Sequence, residues 1–551
     1  MSSTIAKRLN IAFFVSAVLF TLLFQFVGIA NWQYGDAFYW INSFPLYQEK
    51  ILSSGTLLVG NLLYSYIAES LLLLRLVQWL AVVASLFIPF FALIEKDKWL
   101  EKLPAASVGL FLIGSGNFNE YSPHIFTVLS YSVIATLIVK FQKEKNLKYA
   151  IVASVVAGFA IWFKFPNILS IFVVCLSVFI IRIIQSKVWK AFLDSFSLGV
   201  LSIVTYWIII SLTIGEPLTS NKFISTVTGA SSKSHDISFL IEQLLKDLYL
   251  FLRYAIYISI FCFASMPKWQ RYIKYRWINI LLKVVIVGLY AYLMYDSFSA
   301  MLWYNIAFLY YTVSIVLAIS IYGIVIASIR KDWTLLTIFI LFPALVMLAP
   351  MGSDTAWMKA FPLSACFIPT MAALLLKMED FNIERYCMVG LTIVTAIYIY
   401  TQNPFGPEPL QNQIYISKAD VIKPILVSKK VNNEIDEMLS DWEKYGEKGN
   451  TLAVGQKSHT IVALTKDNSF KGRVSNFYYF YNDRELVNNT YMKSINETSP
   501  TIFMFKQSPL SKKGFNEKNY FIRRLKKSGY EIVKKNKEYF VLKKSSSTSK
   551  K

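Results

Sequence analysis

Little in this chain resembles the raw material of a soluble enzyme. Charged residues make up 16% of its 551 positions, where a soluble domain carries roughly 25%. Its four cysteines, Cys175, Cys262, Cys366 and Cys387, all fall within or at the edge of apolar runs. They show neither a metal-ligand spacing nor a disulfide framework. Three histidines and no His/Cys cluster argue against a structural zinc site. No P-loop or dinucleotide-binding glycine motif occurs, so nucleotide chemistry has no support. No internal repeat is visible. Acidic residues are outnumbered, and the formal net charge is +22. Such a charge can mark a nucleic-acid binder. Here much of it sits in short loops between apolar runs, where it sets topology, so nucleic acid is excluded as a partner.

What the chain has is apolar sequence: 55% of residues are hydrophobic, with mean hydropathy +0.45. Thirteen spans are expected, at approximately 11–30, 70–93, 103–117, 124–139, 149–163, 167–184, 191–214, 246–266, 278–295, 305–329, 334–350, 361–376 and 386–401. Spans 103–117 and 149–163 are short for a crossing and must extend, tilt or break. With the N-terminus inside, twenty Lys and Arg fall in inside segments and adjoining span ends. The outside loops before residue 402 carry five: Lys50, Lys164, Lys222, Lys233 and Lys359. That positive-inside bias places the N-terminus in the cytoplasm and the C-terminus outside. Lys7 and Arg8 ahead of the first run also suit a signal peptide, with Gly28–Ile29–Ala30 as its cleavage site. The run is long for that, so a retained anchor fits better.

The expected fold is a polytopic α-helical membrane protein of about 13 transmembrane helices with a small C-terminal α/β soluble domain. Residues 1–401 form the membrane domain, with long outer loops at 31–69 and 215–245. The first loop carries Phe44, Leu46, Tyr47, Ile51 and Leu52 among polar residues, as surface-lying helices do. The second is polar enough to act as a lid. Residues 402–409 are a breaker-rich linker, 410–545 an extracytoplasmic α/β domain and 546–551 a disordered tail. Within the domain, Val431 to Tyr445 has helical spacing, while Thr451–Val454, Thr460–Leu464, Thr501–Phe505 and Tyr539–Leu542 read as strands. Its lysine-rich surface is either simply solvated or meets anionic lipids or glycans.

Polar residues collect at the outer ends of the spans. Asp36 follows the first span, ringed by Trp32, Tyr34, Phe38, Tyr39 and Trp40. It is either a solvated or capping aspartate or a general base at the lipid–water boundary. Arg75 and Arg253 lie just inside the outer ends of their spans. Each either snorkels to the headgroups or faces the bundle and binds phosphate. Asn119, Glu120 and His124 lie in or beside the next outer loop, as helix caps or as groups binding a sugar or acceptor. Lys164, in Lys164–Phe165–Pro166–Asn167, is an interfacial lysine or a point charge for a leaving phosphate. Asp296, Trp303, Tyr304, Asn305, the turn Gly352–Ser353–Asp354 and Lys359 are weaker signals. Carboxylates and isolated cations in one layer, fed by lipid from the side and water from above, suit transfer from a phosphate-bearing lipid to a hydroxyl.

This pattern resembles the GT-C superfamily of integral-membrane glycosyltransferases, in its protein-mannosyltransferase and aminoarabinose-transferase-like branch. The resemblance rests on Gly35–Asp36–Ala37–Phe38–Tyr39 after the first span, the long first outer loop, Glu69–Ser70 and Leu74–Arg75–Leu76 at the second span, Asn119–Glu120 and Phe163–Lys164. It covers roughly residues 5–190. Two departures stand out. Ala37 replaces a frequent second acid, leaving Asp36 as the sole base in its loop. The lysine turn reads Lys-Phe-Pro, without the branch's glycine. The resemblance implies a polyprenyl-phosphate-linked sugar as donor, inversion at the anomeric carbon, Asp36 as catalytic base, Arg75 and Lys164 at the donor phosphate, and Glu120 at the acceptor or sugar. Arg253 joins the phosphate group by position alone, and Asn119 and His124 join Glu120. The partners are then the lipid-linked sugar, membrane lipid, and an acceptor lipid, glycan or protein. No cofactor is implied. Oligosaccharyltransferases of the superfamily use a divalent metal and a WWD-like motif, which leaves a metal open here, although the nearest run, Ser440–Asp441–Trp442, has the wrong order and is expected on a surface helix. The membrane would be a bacterial inner or plasma membrane, or the endoplasmic reticulum in a eukaryote. Two other functions fit less well: a transporter or flippase of lipid-linked sugars, which needs polar groups near the bilayer midplane, and a non-catalytic membrane assembly protein.

Overall fold

The computed structural model describes residues 3–27, 35–115, 121–184, 188–215, 277–278, 280–281, 284–285, 306–350, 360–375, 412–455, 457–466, 491–506 and 519–545. Up to residue 375 the named helices are α1 (Ser3–Leu23), α2 (Gly35–Ser43), α3 (Ser54–Leu63), α4 (Leu71–Leu93), α5 (Trp99–Ser115), α6 (Pro123–Glu144), α7 (Leu147–Phe163), α8 (Leu169–Ile183), α9 (Val188–Ile214), α10 (Ile306–Arg330), α11 (Trp333–Leu348) and α12 (Phe361–Leu375). Among the described residues, six helical stretches are long and apolar enough to cross a membrane: Thr4–Phe26, Leu71–Leu93, Pro123–Glu144, Phe165–Ile183, Val188–Ile214 and Thr312–Arg330. The protein is therefore an integral membrane protein, mostly helical, with a small sheet region near its C-terminus.

The chain divides into two compact units. The first holds Met1–Gln25, Leu46–Val59 and Leu76–Pro404. Sequential helices pack as pairs, α6 on α7, α8 on α9 and α10 on α11, and non-sequential contacts knit them together: α7 on α9, α10 on α12, α11 on α6, and α5 between α1 and α12. Lipid cannot satisfy a polar backbone, so each helix closes its own hydrogen bonds and what varies is how tightly pairs approach. Gly109 of α5 marks one close approach. A Cβ there would lie 2.3 Å from Pro369 of α12 and 2.6 Å from Leu86 of α4. The turn between α6 and α7 is built from two local devices. Lys145 takes the left-handed conformation (φ 59°) that ends α6, and the Asn146 side chain accepts from Lys148 N to start α7. That tight hairpin brings the start of α6 back beside the end of α7.

The second unit holds Phe26–Pro45, Gly60–Arg75 and Phe405–Lys551. Beyond residue 411 it contains β1 (Gln413–Ile416), β2 (Leu426–Ser428), α13 (Lys429–Tyr445), β3 (Thr451–Val454), α14 (Ser458–Thr465), α15 (Met492–Thr498), β4 (Thr501–Phe505), α16 (Tyr520–Lys527), β5 (Tyr530–Lys535) and β6 (Tyr539–Lys544). The strands form a β1–β2 pair and a four-stranded sheet of order β3-β4-β6-β5, with β3 and β4 parallel and the other pairs antiparallel. Leu452, Val454, Ile502, Met504, Phe521, Ile522, Phe540 and Leu542 share its core.

Several expectations are corrected. The first helix runs Ser3–Leu23 and is followed by a 3-10 turn, Phe24–Phe26, rather than spanning 11–30. Lys7 and Arg8 lie inside it, because a helix continues through the headgroup layer once long side chains can reach water. Residues 460–464 are helix, not strand, within α14. The apolar run is too short for its period to decide, and parallel β3 and β4 demand a crossover connection there. The helix carrying Ser440–Asp441–Trp442 is no surface element at that point. Asp441 and Trp442 are each 7% exposed, because Val431, Ile435, Met438 and Trp442 recur at helical period on its inner face. In the segment 31–69, expected to carry surface-lying helices, Phe44 and Ile51 are buried within the protein. Spans 246–266 and 386–401, most of 278–295, and loop 215–245 beyond Gly215 lie outside the described residues.

Candidate functional site

In the first unit the hairpin of α6 and α7 assembles a polar cluster. Phe163 ends α7, and Lys164 leaves helical geometry (φ −153°, ψ 113°) while its N–H still bonds to Ala160 O at 3.0 Å. Lys164 caps a short 3-10 turn, Phe165–Ile168, in which Pro166 sits in the first turn, where its missing N–H costs no hydrogen bond. Lys164 is thereby turned inward and is 6% exposed. Its Nζ lies 3.3 Å from Nδ1 of His124, in the first turn of α6. A lysine ammonium can only donate, and an imidazole Nδ1 without a proton is the acceptor that such a contact takes.

A set of neutral groups holds this pair in place. Asn167 Nδ2 donates to Thr127 Oγ1 at 3.0 Å and to Ala160 O at 2.9 Å, tying the turn to both helices. Thr56, fully buried in α3, donates its hydroxyl to Phe163 O at 2.9 Å. Its own carbonyl accepts from Tyr121 OH at 3.0 Å. Thr56 thus braces the residue before Lys164 and the segment leading to His124. Burial pushes the Tyr121 phenol well above its ordinary range, so it stays a donor. The Phe126 and Phe163 rings stack at 4.2 Å between centroids, a contact worth about 0.5–1.5 kcal/mol. Thr56, Thr127 and Asn167 were missed as site residues. Asn167 alone carried a signal, as the polar residue directly after the Phe165–Pro166 break. Chemically, a desolvated ammonium beside the first turn of a helix suits an anion, phosphate above all.

The second unit holds two other candidates. Asp36 stands in the first turn of α2, and its side chain lies outside the described parts. Arg75 is 0% exposed, so it is enclosed by protein and does not lie along a lipid-facing surface. The structure thus brings Lys164 and His124 together and places Asp36 and Arg75 in the other unit. Asn119, Glu120 and Arg253 lie outside the described residues, as do Asp296, Trp303, Tyr304, Asn305, Gly352–Ser353–Asp354 and Lys359. Among the described residues no three His, Cys, Asp or Glu side chains converge as a metal site would need.

No family model matches the chain, and no curated protein sequence matches it. Among solved structures the chain is similar to the oligosaccharyltransferase of Archaeoglobus fulgidus. Against its complex with Zn and sulfate the identity is 11%, over 90% of this chain and 68% of that one, with a TM-score of 0.42. Against its apo form the identity is 10%, with coverage of 90% and 69% and a TM-score of 0.41. Against AglB from the same organism, in complex with an inhibitory peptide and a dolichol-phosphate, the values are 11%, 90%, 69% and 0.41. The identity and TM-scores are too low to carry an activity, a substrate or a metal from them to this chain.

Proposed function

We propose that this protein is a GT-C-like glycosyltransferase that moves a sugar from a polyprenyl-phosphate donor to a hydroxyl acceptor on the non-cytoplasmic face of its membrane. The observation that carries the reading is the Lys164–His124 pair: a lysine at 6% exposure, its Nζ 3.3 Å from the His124 imidazole, at one end of a hairpin of two apolar helices. Withdrawing a charge from water is costly, and membrane proteins retain such groups for binding or transport. A phosphate-bearing lipid is the anion such a protein meets by lateral diffusion.

In this mechanism the acceptor oxygen forms a bond to the anomeric carbon from the face opposite the phosphate. The carbon–oxygen bond to the phosphate breaks, its electron pair leaves with the polyprenyl phosphate, and the anomeric centre inverts. Asp36 takes the acceptor's proton as general base. The phosphate changes from a diester bearing one negative charge to a monoester that can carry two. Cations beside it therefore bind the transition state more tightly than the ground state. Lys164 and Arg75 fill that role, with Arg253 beside them by sequence position. Asn119, Glu120 and His124 orient the acceptor or sugar. The cytoplasmic N-terminus and the extracytoplasmic C-terminal domain follow from the charge bias of the loops.

The test is transfer by purified protein in lipid nanodiscs, given radiolabelled polyprenyl-phosphate sugars and a glycan, lipid or peptide acceptor panel. Wild type is expected to discharge one donor, and Asp36→Asn to fold and bind donor without turnover. Equal turnover by D36N removes Asp36 as base. Failure of wild type on every donor removes the reaction.

A further inference from the structure

The second unit joins the C-terminal domain to the two short segments that bear Asp36 and Arg75. Four separate contacts make the join. Asn42, near the end of α2, donates its side-chain amide to His459 O in the first turn of α14 at 2.8 Å. Leu71 N, at the start of α4 and one turn ahead of Arg75, bonds to Val421 O at 3.0 Å. Glu69 pairs with Lys466, and Val27 forms a parallel bridge to Leu426 of β2.

Three of these contacts have consequences for the helices they join. The first N–H groups of a helix have no partner inside it, and Val421 supplies one for α4. Helix α14 has eight residues, six of them buried. It meets β3, β4 and α13 within the domain and α2 outside it, so α2 completes its cover. Phe38 and Ile41 of α2 are buried in return. Glu69 (φ 46°) and Lys466 (φ 54°) both hold left-handed backbone, unfavourable for a residue with a Cβ, and the two meet as an ion pair. Strained residues persist where their surroundings over-determine them, commonly near functional sites.

We infer that the C-terminal domain is the positioning element of the reaction, with α14 and the Val421 carbonyl setting the register of the Asp36 helix against the first turns of the Arg75 helix. This inference rests on the reading of Asp36 as base and Arg75 as phosphate ligand. Asn42, Glu69 and Lys466 are positioning residues that touch no substrate. Moving a base by even an ångström slows chemistry by about a hundredfold while leaving binding of a lipid tail untouched.

The experiment uses the full-length protein in nanodiscs and compares wild type, Asn42→Ala, Lys466→Glu and the charge-exchanged pair E69K/K466E. Hydrogen exchange of the peptide spanning 35–43 needs no substrate. It should accelerate in Asn42→Ala and Lys466→Glu and return toward wild type in the exchanged pair. With the donor that wild type discharges, kcat should fall in the two single variants with KM for donor unchanged, and recover in the exchanged pair. Unchanged exchange in both single variants overturns the docking. Altered exchange with an unchanged kcat overturns the positioning role. Absence of turnover in wild type counts against the proposed reaction, and the exchange measurement still decides the docking.

Discussion

Replacing Lys164 by Met isolates the charge from the packing. The two side chains are similar in length and volume, and Lys164 is 6% exposed, so the thioether fills the same space without opening a cavity. What disappears is the ammonium 3.3 Å from His124 Nδ1. A hydrogen bond to a charged group contributes about 1.5–3 kcal/mol, so losing one to a donor phosphate should lower kcat/KM roughly ten- to hundred-and-fiftyfold. Part of that loss should appear in kcat, because the phosphate gains negative charge as the sugar leaves. Stability should move little or rise, since burying a charge costs more than burying a thioether. The assay is steady-state transfer from labelled polyprenyl-phosphate sugar in nanodiscs, beside a thermal unfolding midpoint. Transfer kinetics indistinguishable from wild type would refute the phosphate role. A collapsed midpoint would show that the lysine serves the fold instead.

Two further outcomes are expected. Gly109→Ala should destabilise the first unit by about 1–3 kcal/mol, read as a lower unfolding midpoint in detergent, because the new methyl would sit 2.3 Å from Pro369 and 3.1 Å from Ala365 O; an unchanged midpoint would refute the tight α5–α12 approach. The C-terminal domain should lose stability in alkali. Burial pushes the Tyr491 phenol up to about 12, and burial likewise raises Tyr530 and Tyr539, the latter also donating to Asp441 at 2.6 Å. Between the unfolded value of about 10 and the folded value the native state holds more protons than the unfolded one, so stability is full below that window and falls as pH rises through it. Tyrosinate absorbance should therefore appear together with the unfolding signal, and ionisation without unfolding would contradict it.

The membrane part of the fold was legible because hydropathy and loop charge are long-range averages that tolerate local error. Spans 70–93 and 361–376 match α4 and α12 to within a residue. Where local signals decide, the reading slipped: Ser458–Thr465 is too short for periodicity to separate helix from strand. Strand β5 was missed because lysines and Glu531 interrupt its apolar pattern. Lys164 stood out as the lone basic residue in a turn between two apolar runs. Its partner His124 is 40 positions earlier, and only the folded hairpin makes them neighbours. Thr56 carried no signal at all, since one threonine among small and apolar residues looks like any other. The joining of the Asp36 and Arg75 segments to the C-terminal domain was equally invisible, because it runs in part through main-chain carbonyls of His459 and Val421 that sequence cannot mark.

The most direct measurement of the central claim is made in membranes from cells lacking the protein. Extracted polyprenyl-phosphate lipids should contain one sugar-bearing species in excess of the parent strain. Adding purified wild-type protein should discharge that species to free polyprenyl phosphate with transfer of the sugar to an acceptor, and Asp36→Asn should leave it intact. No accumulating lipid-linked sugar, or discharge by both proteins alike, would contradict the account.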